Sequence, residues 1–352
     1  MRPGSPTACS TPTSAAATAS WWWSTRWAER HAEPLAALEA SGVTVDRIDV
    51  PPPGTWAARL GRGRTLRAVA DRHEVDVAFF PRDVAPKLDQ PVVIEAKNRY
   101  AWEVFSESGP VGGPVSAWLL RRAARRSARR AAAVLAVSGA MRDAIDADIA
   151  VAAIVHHGCA LPEHDRTGVE DDPDGPFRAA MVGTVMGNKG IDVAVAGVAE
   201  ARRAGRPWEL HVHGPRGDAA YAAEVERLAD ELLGVPVLRG PAYGPDLVEA
   251  YHQAHVLVVG SVFESFCFPL VEAMRSSCVV VAPDCPLVHE LCGPVAATYE
   301  EGDPASLAAA LEVAWTERHE RRHAGLLRSR AFTWEHTVEI TLDAVRAAVG
   351  AS

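Results

Sequence analysis

From about residue 75 onward, short apolar runs alternate with longer amphipathic stretches. In the first half the runs at 75–80, 91–95, 133–137 and 153–156 predict strands, and the stretches at 65–73, 115–131 and 139–146 predict helices. A helix at 28–40 and a strand at 43–50 precede them. Residues 162–176, loaded with Asp, Glu, Gly and Pro, predict a linker. A second series of strands follows at 179–185, 209–213, 236–239, 255–259 and 279–282, with helices between them. Asp303-Pro304 is a helix start, Asp as N-cap and Pro at the first position, and a helix at 335–349 closes the pattern. Two such series predict two parallel sheets with covering helices. The 352 residues suit two domains of roughly 150–200 residues each. The first twenty residues, rich in Ser, Thr, Ala and Pro, lack both acidic residues and the apolar core of a secretory signal, and are expected to be disordered.

Two stretches of the second series carry chemistry. In residues 264–274, ESFCFPLVEAM, two carboxylates stand eight positions apart around a tight apolar turn that opens a helix, with Pro269 suited to its first position. The unpaired amides of a helix start make a seat for a diphosphate, and flanking carboxylates accept hydrogen bonds from sugar hydroxyls. In residues 181–190, MVGTVMGNKG, a strand runs into a glycine-bearing loop and then Lys189 at the start of a helix. Ligands of open α/β sheets bind at such carboxyl ends of strands.

Residues 178–317 resemble the nucleotide-binding half of a glycosyltransferase family 4 enzyme. The resemblance rests on the loop from Gly183 to Lys189-Gly190, on His213-Gly214, on Leu238-Arg-Gly-Pro-Ala-Tyr243 and on the strand at 254–261. It rests further on the E-x7-E element Glu264 to Glu272 and on Val279-Val-Val-Ala-Pro-Asp284. A weaker likeness runs through 132–138, His156-His157-Gly158 and the last helix. It implies an α/β protein of GT-B fold, two doubly wound Rossmann-like domains facing a cleft. Residues 21–165 would form an acceptor-side domain, joined by a crossing helix at 335–352, and residues 166–334 would bind the nucleotide sugar. The implied reaction transfers a sugar from a nucleoside diphosphate sugar, a UDP-sugar by preference, to a hydroxyl acceptor, with retention and with no cofactor or bound metal. Glu264 would contact sugar hydroxyls, Glu272 the ribose, Lys189 the diphosphate, and the amides around Phe268, Pro269, Leu270 and Val271 its oxygens. Gly183, Thr184, Gly190, Tyr243, Phe266 and Cys267 would complete the donor site. Thr184 stands where the family usually has Arg, Cys267 where it usually has Gly, and Lys97 follows the 92–95 strand where a histidine is common. Lys97 is therefore the candidate polar replacement beside the reacting carbon, with Lys189 and Glu264 as the other catalytic candidates. The Gly-rich loop expected after the first strand is missing from residues 1–40, where 21–27 is Trp-rich.

Composition narrows the partners. The net charge of −9 falls mainly on the second half, which disfavours general nucleic-acid binding. No run of 18 apolar residues exists, and six cysteines without a C-x-x-C pair fit a reduced, cytoplasmic protein. Among 36 basic residues only three are lysine, so Lys97 and Lys189 stand out as compact point charges. Arg121, Arg122, Arg125, Arg126, Arg129 and Arg130 repeat every four residues along one helical stripe. A solvated face is the plain reading; contact with an anionic acceptor or a peripheral membrane surface is the other. Asp146-Ala-Asp148 and the acidic run at 170–174 are read as non-metal, and His156-His157 as loop packing. The acceptor, a small molecule, glycan or lipid-linked glycan, is set by loops that match no motif. A sugar-nucleotide epimerase, a phosphorylase or a catalytically weak binding homologue are the competing readings. Only an epimerase would convert the donor without an acceptor.

Overall fold

The computed structural model describes residues 40, 56–104, 113–166, 171, 175–261 and 263–350. The first twenty residues, the tryptophans at 21–27, the strand expected at 43–50 and nearly all of the helix expected at 28–40 lie outside these. Two compact units divide the chain, one of residues 1–78 and 86–91, the other of residues 79–85 and 92–352. In the first, helix α1 (Trp56–Arg72) begins nine residues before the expected 65 and buries Leu66, Val69 and Ala70. Among the described residues no helix is long and apolar enough to cross a membrane.

A four-stranded sheet orders β1 (Ala78–Phe80), β2 (Val92–Ala96), β3 (Ala133–Ala136) and β4 (Ala153–Ile154) in sequence. β2, β3 and β4 pair in parallel. Helix α2 (Gly113–Ala128) buries Ala117, Ala124, Ser127 and Ala128, and α3 (Gly139–Ala144) starts under a cap in which Ser138 Oγ accepts the Met141 N–H at 3.0 Å. α2 stops at 128 instead of 131, so Arg129 and Arg130 leave the helix and lie in the turn that follows.

The second sheet has six parallel strands in the order β10-β9-β8-β5-β6-β7. They are β5 (Phe177–Val182), β6 (Trp208–His213), β7 (Leu238–Gly240), β8 (Val256–Val258), β9 (Val279–Pro283) and β10 (Ala297–Tyr299). Between and after them run α4 (Ile191–Arg203), α5 (Ala219–Leu233), α6 (Pro245–Gln253), α7 (Phe268–Arg275), α8 (Pro286–Cys292), α9 (Pro304–Thr316) and α10 (Arg318–Ser329). α9 packs on α4 and α4 on α5, enclosing Phe177, Trp208, Leu307 and Trp315 against one face of the sheet. α10 packs on α7 and β9. Because both faces are covered, β8 and β9 are buried at every position, which is why their sequences read as unbroken apolar runs.

The last helix, α11 (Trp334–Gly350), returns to lie against β2 and β3 of the first sheet. Its start is set tightly: a Cβ on Gly158 would come within 2.3 Å of the Trp334 nitrogen, so only glycine fits there.

Candidate functional site

β5 and β8 are neighbours, with Ala179 opposite Val256, although the chain leaves β5 toward β6 on one side and β8 toward β9 on the other. At such a switch point the two connections diverge and leave a crevice beyond the carboxyl ends of the strands. The loops after β5 and β8 meet there backbone to backbone. Gly190 has φ of 58°, and a Cβ on it would lie 2.9 Å from the Gly260 carbonyl oxygen, while one on Gly260 would lie 2.4 Å from that of Lys189. That approach puts Lys189 beside Glu264, and the ammonium donates directly to the carboxylate. The Lys189 stem passes over Gly183, where an added Cβ would sit 3.7 Å from its Cε. Burial alone would lower the Lys189 pKa, but the Glu264 carboxylate outweighs it and raises it.

Helix α7 starts at Phe268, which puts Pro269 one position further in than expected. Its first turn has no side-chain cap, whereas Asp218 and Asp303 cap α5 and α9 with two accepted N–H bonds each. Cys267 precedes it with φ 60° and ψ 71°. The left-handed conformation explains why glycine is usual at this place, and a cysteine there carries a backbone strain that glycine would not. The thiol is buried and its pKa is pushed well above the ordinary value by burial, then by Glu264, so it is a packed group and not a nucleophile. On the second turn Glu272 accepts the hydroxyl of the buried Tyr251 at 2.8 Å. Burial raises the Glu272 pKa and the tyrosine bond only partly offsets this.

Loops of the first sheet hold the segment that carries Glu264. The Arg99 N–H donates to Ser265 Oγ at 3.2 Å, and Ser138 Oγ donates to the Ser265 carbonyl at 2.5 Å. Asn188 donates to the Tyr100 hydroxyl at 3.2 Å, and the Tyr100 ring meets that of Phe263 edge-on at 4.8 Å. Burial raises the Tyr100 pKa, with Lys189 lowering and Glu264 raising it in turn, which sets the phenol within electrostatic reach of both. Lys97 does not join that pair: its ammonium lies 3.4 Å from Glu95. Glu95 also meets His157 Nε2 at 3.1 Å, and although burial opposes it, the bonds to His157 and Lys97 hold its carboxyl below the usual range. His157 in turn packs against Phe266 and Phe268, each at 5.3 Å between ring centroids. Glu290 of α8 accepts the Gly139 N–H at 2.7 Å and meets His156 Nε2 at 2.7 Å.

The structure thus gathers Gly183, Lys189, Gly190, Glu264, Phe266, Cys267, Phe268, Pro269, Leu270, Val271 and Glu272 around the switch point. Thr184 turns its methyl toward Gly217, where an added Cβ would lie 2.4 Å from Thr184 Cγ2. Tyr243 stands exposed in the loop after β7. Asp146 and Asp148 bind Arg125 and Arg129. Tyr100, Ser265, Glu95 and Glu290 are not among the residues that the sequence motifs single out. Of these only Glu95 leaves a trace in the sequence, as a charge inside an otherwise apolar strand that demands a buried partner.

A family model described as "Glycosyl transferases group 1" matches residues 176–317. The serotype-specific mannosyltransferase WbdA of Escherichia coli is 27% identical over 169 residues, 46% of this chain and 20% of that protein. The chain therefore spans a fifth of the length of the curated relatives it matches. Among solved structures, the sucrose-phosphate synthase from Thermosynechococcus elongatus has a TM-score of 0.68 at 17% identity, over 90% of this chain and 92% of that one. HepE of Anabaena, in complex with UDP and glucose, gives 0.63 at 16% identity, over 88% and 87%. WaaG, a glycosyltransferase involved in lipopolysaccharide biosynthesis, gives 0.63 at 15%, over 86% and 87%. The fold is GT-B, as expected, and residues 176–317 match the family model of group 1 glycosyl transferases.

Proposed function

We propose that the chain is a retaining hexosyltransferase of family 4 type, moving a sugar from a UDP-sugar to a hydroxyl acceptor without a metal ion. The observation that carries the reading is the Lys189–Glu264 pair beside the uncapped start of α7, at the switch point of a six-stranded parallel sheet. Lys189 and the α7 amides would receive the diphosphate, Glu264 the donor-sugar hydroxyls and Glu272 the ribose hydroxyls. In the reaction the bond from the anomeric carbon to the β-phosphate oxygen breaks, and the acceptor oxygen bonds to that carbon. The acceptor's proton ends on the departing diphosphate. Negative charge grows on the diphosphate as its bond breaks, so fixed positive groups around it bind the transition state more strongly than the ground state. Tyr100 stands on the first-sheet side of the crevice, where an acceptor would approach. UDP is the nucleotide held in the similar HepE structure, while retention and metal independence rest on the likeness of 264–274 to family 4 enzymes.

The test is calorimetric titration with UDP-sugars and GDP-sugars, followed by incubation with isotope-labelled donor and a panel of hydroxyl acceptors. UDP-sugar binding, with transfer that survives EDTA, is the expected result. Isomerisation of the donor in the absence of any acceptor would replace the reading with an epimerase.

A further inference from the structure

Tyr251, in the last turn of α6, has no exposure to water, yet it carries a hydroxyl that needs a partner. That hydroxyl donates to Glu272 Oε2, on the second turn of α7, at 2.8 Å. Burial holds the Tyr251 pKa well above its ordinary value, so the phenol is the donor of this bond and Glu272 the acceptor. The backbone around Tyr251 is fastened as well, because the carbonyls that end α6 and lack a partner within the helix are taken up by other elements. The Arg166 guanidinium donates to those of His252 and Ala254 at 3.1 Å and 2.9 Å, and the Cys278 thiol donates to that of Tyr251 at 3.0 Å. Burial pushes the Cys278 thiol up to about 12, so near neutral pH it keeps its proton and remains a donor. The Cys278 N–H in turn donates to the Ala273 carbonyl at 2.9 Å, one residue beyond Glu272. Tyr251 and Glu272 are therefore tied to each other twice, directly through the phenol and again through Cys278. Glu272 itself is only half-buried, and among the described residues its Oε1 accepts no hydrogen bond.

We propose that Tyr251 is the positioning residue that makes the donor site select a ribonucleotide: by holding Glu272 through Oε2 it leaves the other carboxylate oxygen for the vicinal hydroxyls of a ribose. This rests on the reading above, in which Glu272 meets the ribose. The terminal torsion of a glutamate is broad, so an untethered carboxylate spreads over many orientations. Tethering one oxygen removes that freedom before the nucleotide arrives, and binding no longer has to supply the ordering. The phenol also supports the ionised form of Glu272 against its burial. A hydrogen bond to an ionised acceptor is about twice as strong as one to a neutral acceptor. A deoxyribonucleotide keeps the same base and diphosphate, so the selection falls on the sugar hydroxyls alone.

The experiment is calorimetric titration of the full chain with a nucleoside diphosphate and with its 2′,3′-dideoxy analogue, UDP first and GDP where the parent does not take UDP. The parent should bind the ribose form roughly 10-fold more tightly or better, as expected for hydroxyls that donate to a carboxylate. Tyr251→Phe keeps the ring and removes the hydroxyl. It should bring the two ligands within about 3-fold of each other by weakening the ribose form, while the dideoxy form binds as it does to the parent. In a Glu272→Ala background, Tyr251→Phe should change the ratio no further. The ratio is read from two ligands on one protein sample, so it does not depend on what fraction of a variant is folded. If Tyr251→Phe weakens both ligands alike and keeps the parent's ratio, Tyr251 serves packing alone and the proposal is overturned. It is equally overturned if Tyr251→Phe changes the ratio in the Glu272→Ala background, since the phenol would then act without the carboxylate. A parent that binds both forms alike overturns instead the placing of ribose at Glu272, and one that binds neither UDP nor GDP overturns the proposed function; the role of Tyr251 falls with either.

Discussion

Lys189 and Glu264 answer each other's charge in a part-buried crevice, and Glu264 is the main charge acting on Lys189. An incoming diphosphate competes with Glu264 for the ammonium, and a sugar hydroxyl competes with the ammonium for Glu264. Lys189→Ala should therefore weaken UDP-sugar binding by roughly 1.5–3 kcal/mol, the range of a hydrogen bond to a charged group, as read by calorimetry. Unchanged affinity would take Lys189 out of the site. Glu272 offers a pH signature. Burial raises its pKa above the ordinary 4.5, so on acidification it loses its charge earlier than an exposed glutamate would. Donor affinity should fall through a midpoint above 4.5, and Glu272→Gln should remove that limb of the titration. Cys267 is a test of backbone conformation. Glycine tolerates its φ of 60°, whereas a β-branched side chain in the left-handed region is strained. Cys267→Val should lower the unfolding free energy by about 1–2 kcal/mol more than Cys267→Gly does. Equal denaturation midpoints for the two variants would contradict that account.

The strands were legible wherever both faces are buried, because an unbroken apolar run such as Val279-Val-Val-Ala-Pro283 has one plausible use between turn signals. β10 was not, since its three residues hold an exposed Thr298 and begin only two residues after Gly293-Pro294. The end of α2 was misplaced for a different reason. Arginine every four residues looks helical through 130, yet the helix closes at 128 and Arg129, in the turn that follows, pairs with Asp146 and Asp148, which lie well beyond the reach of local sequence. The E-x7-E segment could be recognised in advance because its function is local to one loop and one helix start. The residues that hold it, Ser138 and Arg99, come from other elements and carry no motif. Glu290 is as silent in the sequence: from α8 it accepts the Gly139 N–H at 2.7 Å and that of Ala140 at 3.3 Å and meets His156 at 2.7 Å. Burial opposes its charge, but the His156 contact and the α3 amides outweigh it and hold the carboxyl below its ordinary 4.5. A depressed carboxyl contributes stability that is complete above the unfolded pKa and is lost as pH falls through the folded one. Glu290→Ala should lower stability at neutral pH by roughly 1.5–3 kcal/mol, and the gap from the parent should close on acidification below 4.5. A gap that stays constant down to acid unfolding would show that the carboxylate is not the source.

The described residues of the crossing from β4 to β5 are fastened at several points, and that fastening bears on the donor site. Cys159 N–H donates to the Phe332 carbonyl at 3.0 Å, His164 N–H to that of Arg275 at 3.0 Å, and Arg166 N–H to Ser277 Oγ at 3.2 Å. Arg275 ends α7, the helix that carries Glu272, so the crossing segment braces the far end of the helix whose start faces the crevice. Asp171 anchors this segment. It binds the fully buried Arg322 at 2.7 Å and 3.0 Å, Arg318 at 3.0 Å and Arg166 at 3.5 Å, and lies 3.5 Å from His255. Burial pushes the His255 pKa down to about 4, so near neutral pH this imidazole adds no charge. Burial opposes ionisation of Asp171 as well, yet the arginines, Arg322 foremost, hold its carboxyl below the ordinary 3.8. Taking this one carboxylate away strands a guanidinium that has no exposure to water. Breaking one side of such a buried pair costs about 3–5 kcal/mol, whereas replacing both charges with apolar side chains of similar volume is often neutral. Asp171→Ala should therefore shift the urea midpoint strongly downward, and Asp171→Leu with Arg322→Met should recover most of the loss. If the single variant unfolds within about 1 kcal/mol of the parent, the cluster is too well solvated for this account. If the double variant is no better than the single, the brace on α7 depends on the ionic contacts themselves, and UDP-sugar affinity should fall in both variants together.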